Sequence, residues 1–180
     1  TLVKENDKKV SLYKKAIEKF NSANGQYNLA VTYINMEKLA DAKKTLENCE
    51  KDADWNNAMG VIALRENDLN AASEFFAAAN NETAKQNAAI INILDGEYQA
   101  AAEKLAGVKS ANAALAQLLL GNNAPAAEMT CKCPLASYLR AVAAARQGDA
   151  EGVKKNLEAA KKCEKLAARA EKDVEFAQYR

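Results

Sequence analysis

Residues Asn56–Ala79, NNAMGVIALRENDLNAASEFFAAA, decide how this chain is read. They form the pattern of two short amphipathic helices joined by the polar turn Arg65-Glu66-Asn67-Asp68. The first helix carries Met59, Gly60 and Ala63; the second carries Leu69, Ala72, Phe76 and Ala79. Steps of three and four place each set on one helical face. The small residues Gly60 and Ala72 let the two helices approach closely. A hairpin this short cannot bury its apolar face alone, so it needs copies beside it.

Sliding the pattern along the chain finds those copies. Gly60 is matched by Ala30, Ala89, Ala114 and Ala141, and Ala72 by Ala42, Ala101, Ala127 and Val153. Four residues after each second-helix anchor come Leu46, Phe76, Leu105, Cys131 and Leu157. Successive first-helix anchors lie 30, 29, 25 and 27 residues apart. In the fourth copy the first helix reads equally well on Ala114 or Leu115, and Pro125 falls near a helix start, where proline is tolerated. The copies span residues 26–50, 55–80, 84–108, 110–133 and 135–162, with turns at Glu37-Lys38, Asn67-Asp68, Asp95-Gly96-Glu97, Gly121-Asn122-Asn123 and Gln147-Gly148-Asp149.

Asn21 to Asn24 reads as a loop, and Asp54 and Asn81 are the expected helix caps. A half-repeat over residues 4–20, capped by Asn6 or Asp7, shows the stripe Val10, Tyr13, Ile17 and Phe20. A closing helix over 164–179 sets Leu166, Ala170, Val174 and Ala177 on one side, with Lys165, Arg169, Lys172 and Glu175 facing away. No linker or low-complexity run divides the chain. The expectation is one domain over residues 1–180, a piece of a longer protein.

Composition supports an all-α fold. The 180 residues are 49% hydrophobic but only 6% aromatic, which favours close helix packing through small side chains. Strand-like alternation is missing. Lys and Arg total 25 against 24 Asp and Glu, a net +1 that lacks the clustered positive excess of a nucleic-acid footprint. The pairs Lys8-Lys9, Lys14-Lys15, Lys43-Lys44 and Lys161-Lys162 have acids within a turn or two and read as solvated helix faces. No run approaches the roughly 20 apolar residues of a membrane span, so no direct membrane insertion is expected.

This pattern resembles the tetratricopeptide repeat, a helix–turn–helix unit of about 34 residues. The resemblance covers roughly Gly25 to Lys162. Its clearest carriers are Ala30, Tyr33, Ala42 and Leu46, then Gly60, Ala63, Ala72, Phe76 and Ala79. The chain departs from the family pattern at Trp55, which sits one residue early, in lacking the closing proline, and in the short third to fifth copies. The resemblance implies an α-solenoid of about five tetratricopeptide-like repeats, with the N-terminal half-repeat and the C-terminal capping helix at its ends. More loosely, the C-terminal run LAARAEKDVEFAQY resembles repeat segments in cell-envelope proteins of Bacteroidetes-type bacteria, which implies a periplasmic or envelope location.

Catalytic chemistry finds little to work with. There is no histidine, hence no Ser-His or Cys-His dyad and no imidazole ligand. Phosphate-cradling glycine loops and nucleophile elbows are missing too. The expectation is a protein that is not an enzyme and uses no cofactor or metal. The four cysteines leave three readings open: packing of Cys49 and Cys131 as small hydrophobes, a disulfide such as Cys133–Cys163, or a metal or redox pair at Cys131 and Cys133.

In arrays of the family it resembles, the first helices line a concave groove. Positions three before and one after each anchor should face it: Tyr27 and Val31, Asn57 and Val61, Gln86 and Ile90, then Tyr138 and Val142. Asn112 joins them if the Leu115 register holds. Amides there can pair with an extended peptide backbone, while tyrosine and valine supply apolar contact. The blander alternative is that the aliphatic members pack between neighbouring first helices. The lysines and arginine with which some family members clamp acidic chaperone tails are missing from these positions. The reading is a protein–protein interaction scaffold for a peptide or partner protein of unknown identity. The alternative is a structural spacer of a larger envelope protein without a groove ligand, and the N-terminal half-repeat offers a further surface for self-association.

Overall fold

A computed structural model describes residues 2–179. Among them the chain forms twelve α-helices and one 3₁₀ helix, and no strand. The fold is all-α, with consecutive helices packed on one another. Contacts gather it into two compact units, Thr1–Ile91 and Asn92–Arg180. The division passes through the helix Glu82–Leu94, so there is no linker whose composition could have announced it.

The first unit holds α1 (Leu2–Phe20), α2 (Ala23–Asn35), α3 (Leu39–Leu46), α4 (Ala53–Arg65), α5 (Leu69–Ala79) and most of α6 (Glu82–Leu94). The second holds α7 (Tyr98–Lys104), α8 (Ala111–Leu119), α9 (Ala124–Ala127), α10 (Pro134–Arg146), α11 (Ala150–Ala160), α12 (Glu164–Ala170) and the 3₁₀ helix Val174–Tyr179.

Five helices, α2, α4, α6, α8 and α10, end in the same way. Each is followed by a left-handed residue: Glu37 (φ 60°), Asn67 (64°), Gly96 (81°), Gly121 (87°) and Gly148 (74°). The next amide then reaches back five residues. Lys38 donates to Tyr33 O (2.9 Å), Asp68 to Ala63 O (2.9 Å), Glu97 to Asn92 O (2.8 Å), Asn122 to Gln117 O (2.9 Å) and Asp149 to Ala144 O (3.0 Å). This 6→1 bond satisfies a carbonyl that the helix end would leave unpaired. A Cβ is unfavourable in the left-handed region, so glycine and asparagine hold four of the five positions.

These turns fix the register of every hairpin. Each left-handed residue lies seven after Ala30, Gly60, Ala89, Ala114 or Ala141, and five before Ala42, Ala72, Ala101, Ala126 or Val153. All of these small residues are buried. In the fourth hairpin the first-helix anchor is therefore Ala114, not Leu115. Its second-helix anchor is Ala126, with no exposed surface, and the expected Ala127 points outward.

In the first unit, α1 lays Val10, Tyr13 and Ile17 against a core of Leu29, Ala30, Tyr33, Ile34, Ala42 and Leu46. Phe20, expected in that stripe, is 71% exposed at the helix end. The helix also starts before the expected caps, which lie inside it. A neighbouring core joins Ala63, Ala72, Phe76, Ala79, Ala84 and Ile91. Side-chain caps start the helices: Ser22 Oγ accepts from the Gly25 amide (3.0 Å) and Asn81 Oδ1 from Ala84 (2.8 Å). The expected loop at residues 21–24 is thus only two residues long. Asp52, rather than the expected Asp54, caps α4 by accepting from the Trp55 amide at 2.8 Å. Asp54 falls within the first turn of that helix.

In the second unit a core of Leu118, Ala126, Tyr138, Leu139, Val153, Ala160 and Phe176 joins α8 to the chain end. Helix α9 is a single turn. Pro134 confines Cys133 to extended backbone (φ −72°, ψ 152°), so the second helix cannot run on into α10. Thr130 is exposed, four residues past the anchor, where Leu46 and Phe76 are buried in their hairpins. The closing helix is also broken. Asp173 Oδ1 accepts from the Glu175 amide and starts the 3₁₀ turn, which buries Phe176 instead of the expected Val174, now 84% exposed. Glu175, expected to face away, pairs with Arg146 at 2.6 Å.

Candidate interaction face and thiol pair

Neighbouring first helices are tied at matching positions in both units. Arg65, five after its anchor Gly60, donates to Ile34 O, four after the previous anchor, at 3.0 Å. Arg146, five after Ala141, donates to Leu118 O, four after Ala114, at 2.6 Å. The sequence reading missed both arginines. Counting five from each anchor is the signal that would have found them.

The first unit brings six of the expected groove residues onto three such helices: Tyr27 and Val31 on α2, Asn57 and Val61 on α4, Gln86 and Ile90 on α6. All six are half-buried, so each keeps part of its surface in solvent. Tyr27 and Val61 also lie against the core. The Tyr27 hydroxyl is pushed up, first by burial and then by the nearby carboxylates of Asp54 and Asp52. Asn87 Nδ2 donates to Asn57 Oδ1 at 3.0 Å, which engages one side of the Asn57 amide in joining α6 to α4. The face is poor in charge. Helix α2 has no ionisable group other than its tyrosines, α4 has Asp54 and Arg65, and α6 has Glu82 and Lys85.

The second unit does not continue this row. Tyr138 and Val142 are buried, at 4% and 7% exposure. Phe176 packs edge-on to the Tyr138 ring with centroids 5.6 Å apart, and the Tyr138 hydroxyl donates to Asp173 Oδ2. Burial and that bond push the hydroxyl up to about 12. A side chain held in this way offers a ligand no contact, so Tyr138 and Val142 are corrected from groove positions to core. Asn112 is corrected too: the Ala114 register makes Ala111 and Leu115 the equivalent positions, and both pack against the core.

All four cysteines are free thiols. Cys49 is half-buried against the first core, as expected, and its thiol is pushed up by burial and then by Asp52. Cys131 is exposed rather than packed, because α9 stops before reaching it. Among the described residues, no cluster of three or more Cys, Asp or Glu is arranged to hold a metal ion.

These features define the class as an all-α protein of consecutive helical hairpins. No protein-family model matches the chain, and no curated protein matches it.

Proposed function

We propose that this protein is a non-enzymatic interaction scaffold of tetratricopeptide-like repeats, and that the first-helix face of its first unit holds an extended peptide segment of a partner protein. The observation that carries this reading is the recurrence of Tyr27/Asn57/Gln86 and Val31/Val61/Ile90 at equivalent, partly exposed positions of α2, α4 and α6. The amides supply donors and acceptors for a peptide backbone, and the aliphatic row supplies apolar contact between them. The common turn and the matching arginine ties support a repeat architecture of this family type. The scarcity of charge on the three helices argues for an uncharged stretch of partner, held with little dependence on salt.

The test is retention of partners from native lysate, envelope fraction included, on the immobilised full chain and on its Tyr27→Ala/Gln86→Ala variant. A partner held by the first and lost by the folded variant supports the groove. Equal retention by both removes the groove from consideration. A second reading, a spacer without a groove ligand, is favoured by the covered state of Tyr138 and Val142 in the second unit. Retention of no partner by the parent chain or by the variant, with both folded and helical, is its signature.

A further inference from the structure

Hairpin four carries the two most exposed thiols of the chain, at Cys131 and Cys133. They flank Lys132 in the irregular segment left where α9 ends early. That segment is held in place. Arg140 donates through Nη1 to Met129 O (2.7 Å) and Cys131 O (2.8 Å), and its other nitrogens are fixed by Ser137 Oγ and Asn156 Oδ1. The Cys133 amide donates to Cys131 Sγ at 3.2 Å, which folds the first sulfur back over the second residue. Hydrogen bonding from Cys131 lowers the Cys133 thiol, with the Ala136 amide and the Arg140 charge acting in the same direction. On one side Cys131 borders a cavity of about 520 Å³ walled by Leu105, Val108, Ala113, Gln117 and Met129. Sites for small molecules occupy roughly 300–1,000 Å³.

We propose that Cys131 and Cys133 form a reactive dithiol that closes reversibly to an intramolecular disulfide by exchange with a small-molecule disulfide. The Cys133 thiolate attacks one sulfur of the incoming disulfide RSSR. A new S–S bond forms at Cys133 as the old one breaks, and RS⁻ leaves. The Cys131 thiolate then attacks Cys133 Sγ, closes the ring and expels the second RS⁻. Two protein thiols are oxidised, one RSSR is reduced to two RSH, and the two protons pass through solvent to the leaving thiolates. The fixed segment keeps the resolving sulfur beside the attacked one, which favours closure over a lasting mixed disulfide. The cavity beside Cys131 gives the incoming molecule room to approach. Cys49, half-buried and with its thiol pushed up, is poorly suited to the same reaction. This inference stands apart from the groove.

Oxidised glutathione is the probe. The reduced full chain is incubated with it, quenched by alkylation and digested with glutamyl endopeptidase, so that Cys131 and Cys133 stay in one peptide. The expected product is that peptide short of two hydrogens, with Cys49 and Cys163 alkylated. Cys131→Ser should accumulate a glutathione adduct on Cys133, whereas Cys133→Ser should give no closed product and take up glutathione at Cys131 about tenfold more slowly. Both positions are exposed, and circular dichroism checks that the variants stay helical. A persistent Cys133 adduct in the unaltered chain, a Cys133–Cys163 crosslink, or equal modification of all four cysteines overturns the proposal.

Discussion

Gly60 and Phe76 form a matched pair that can be tested against the rest of the fold. A Cβ added at residue 60 would sit 2.5 and 2.6 Å from two carbons of the Phe76 ring. Ordinary carbon contacts are about 3.5–4.0 Å, so the ring must move by about 1 Å. Phe76 is 2% exposed and closed in by Ala63, Ala72 and Ala79, so it has nowhere to go. Overpacking of this kind costs about 1–3 kcal/mol, against a gain of about 1 kcal/mol in helix propensity. With so large an overlap the upper end applies, and Gly60→Ala should lose about 2 kcal/mol.

The neighbouring hairpins show the remedy. Ala30 shares a core with Leu46, and Ala141 with Leu157, in the positions held here by Gly60 and Phe76. Phe76→Leu alone should lose about 1–2 kcal/mol through the space it leaves. Gly60→Ala with Phe76→Leu recreates the Ala–Leu pair and should return to within about 0.5 kcal/mol of the original, whereas simple additivity puts it about 3–4 kcal/mol down. Denaturant unfolding followed by circular dichroism reads all four members of the cycle. A Gly60→Ala protein as stable as the parent, or a double variant at the additive value, would refute the argument from volume.

Four other outcomes follow from particular contacts. Asp52→Ala removes the α4 cap and should cost about 1 kcal/mol, with Asp54→Ala costing less, in thermal unfolding. Gly148→Ala forces a Cβ into the left-handed region and should cost about 1–2 kcal/mol although nothing lies within 4 Å of the site. Arg140→Lys loses the planar guanidinium whose Nη1 grips two carbonyls while Nε and Nη2 anchor it to Asn156 and Ser137, and amide exchange over residues 129–133 should quicken while the far ends of the hairpins are unchanged. Because the folded Tyr138 hydroxyl titrates near 12 rather than 10, its stabilisation is complete below pH 10 and fades as pH rises from there to about 12. Tyr138→Phe should lose that limb of the stability–pH curve.

Much of this fold was legible because its determinants are local and periodic. Small anchors, polar turns and their spacing depend on residues within one hairpin, and the expected turns coincide with the left-handed residues observed. The fourth hairpin was misread because Ala124-Pro125-Ala126-Ala127 offers alanine on every side, so periodicity alone could not choose between Ala126 and Ala127. Gly121 held the answer, five residues earlier. Asp54 has the residue type of a cap and precedes the apolar run, but the helix begins two residues earlier than that run indicates, so Asp52 holds the cap. At the C-terminus a helical spacing hid the local preference of Asp173 to bond the Glu175 amide and break the helix. The repeat spacing set Tyr27, Asn57 and Gln86 at equivalent positions of α2, α4 and α6, but it could not foresee that Tyr138 and Val142 of α10 are buried. Covering of Tyr138 by Phe176 is a contact between distant residues that no local pattern records.

The arginine ties give the chain a direction in time. In each, the carbonyl belongs to the earlier hairpin and the guanidinium to the later one: Ile34 precedes Arg65, and Leu118 precedes Arg146. During synthesis the acceptor therefore leaves the ribosome first, on a hairpin already closed by its own turn. The later hairpin arrives carrying the donor, so the tie to the carbonyl needs no sequence still to be made, although Arg146 gains its second partner, Glu175, only afterwards. A chain with its hairpins spliced in reverse order would present each guanidinium before the carbonyl it needs.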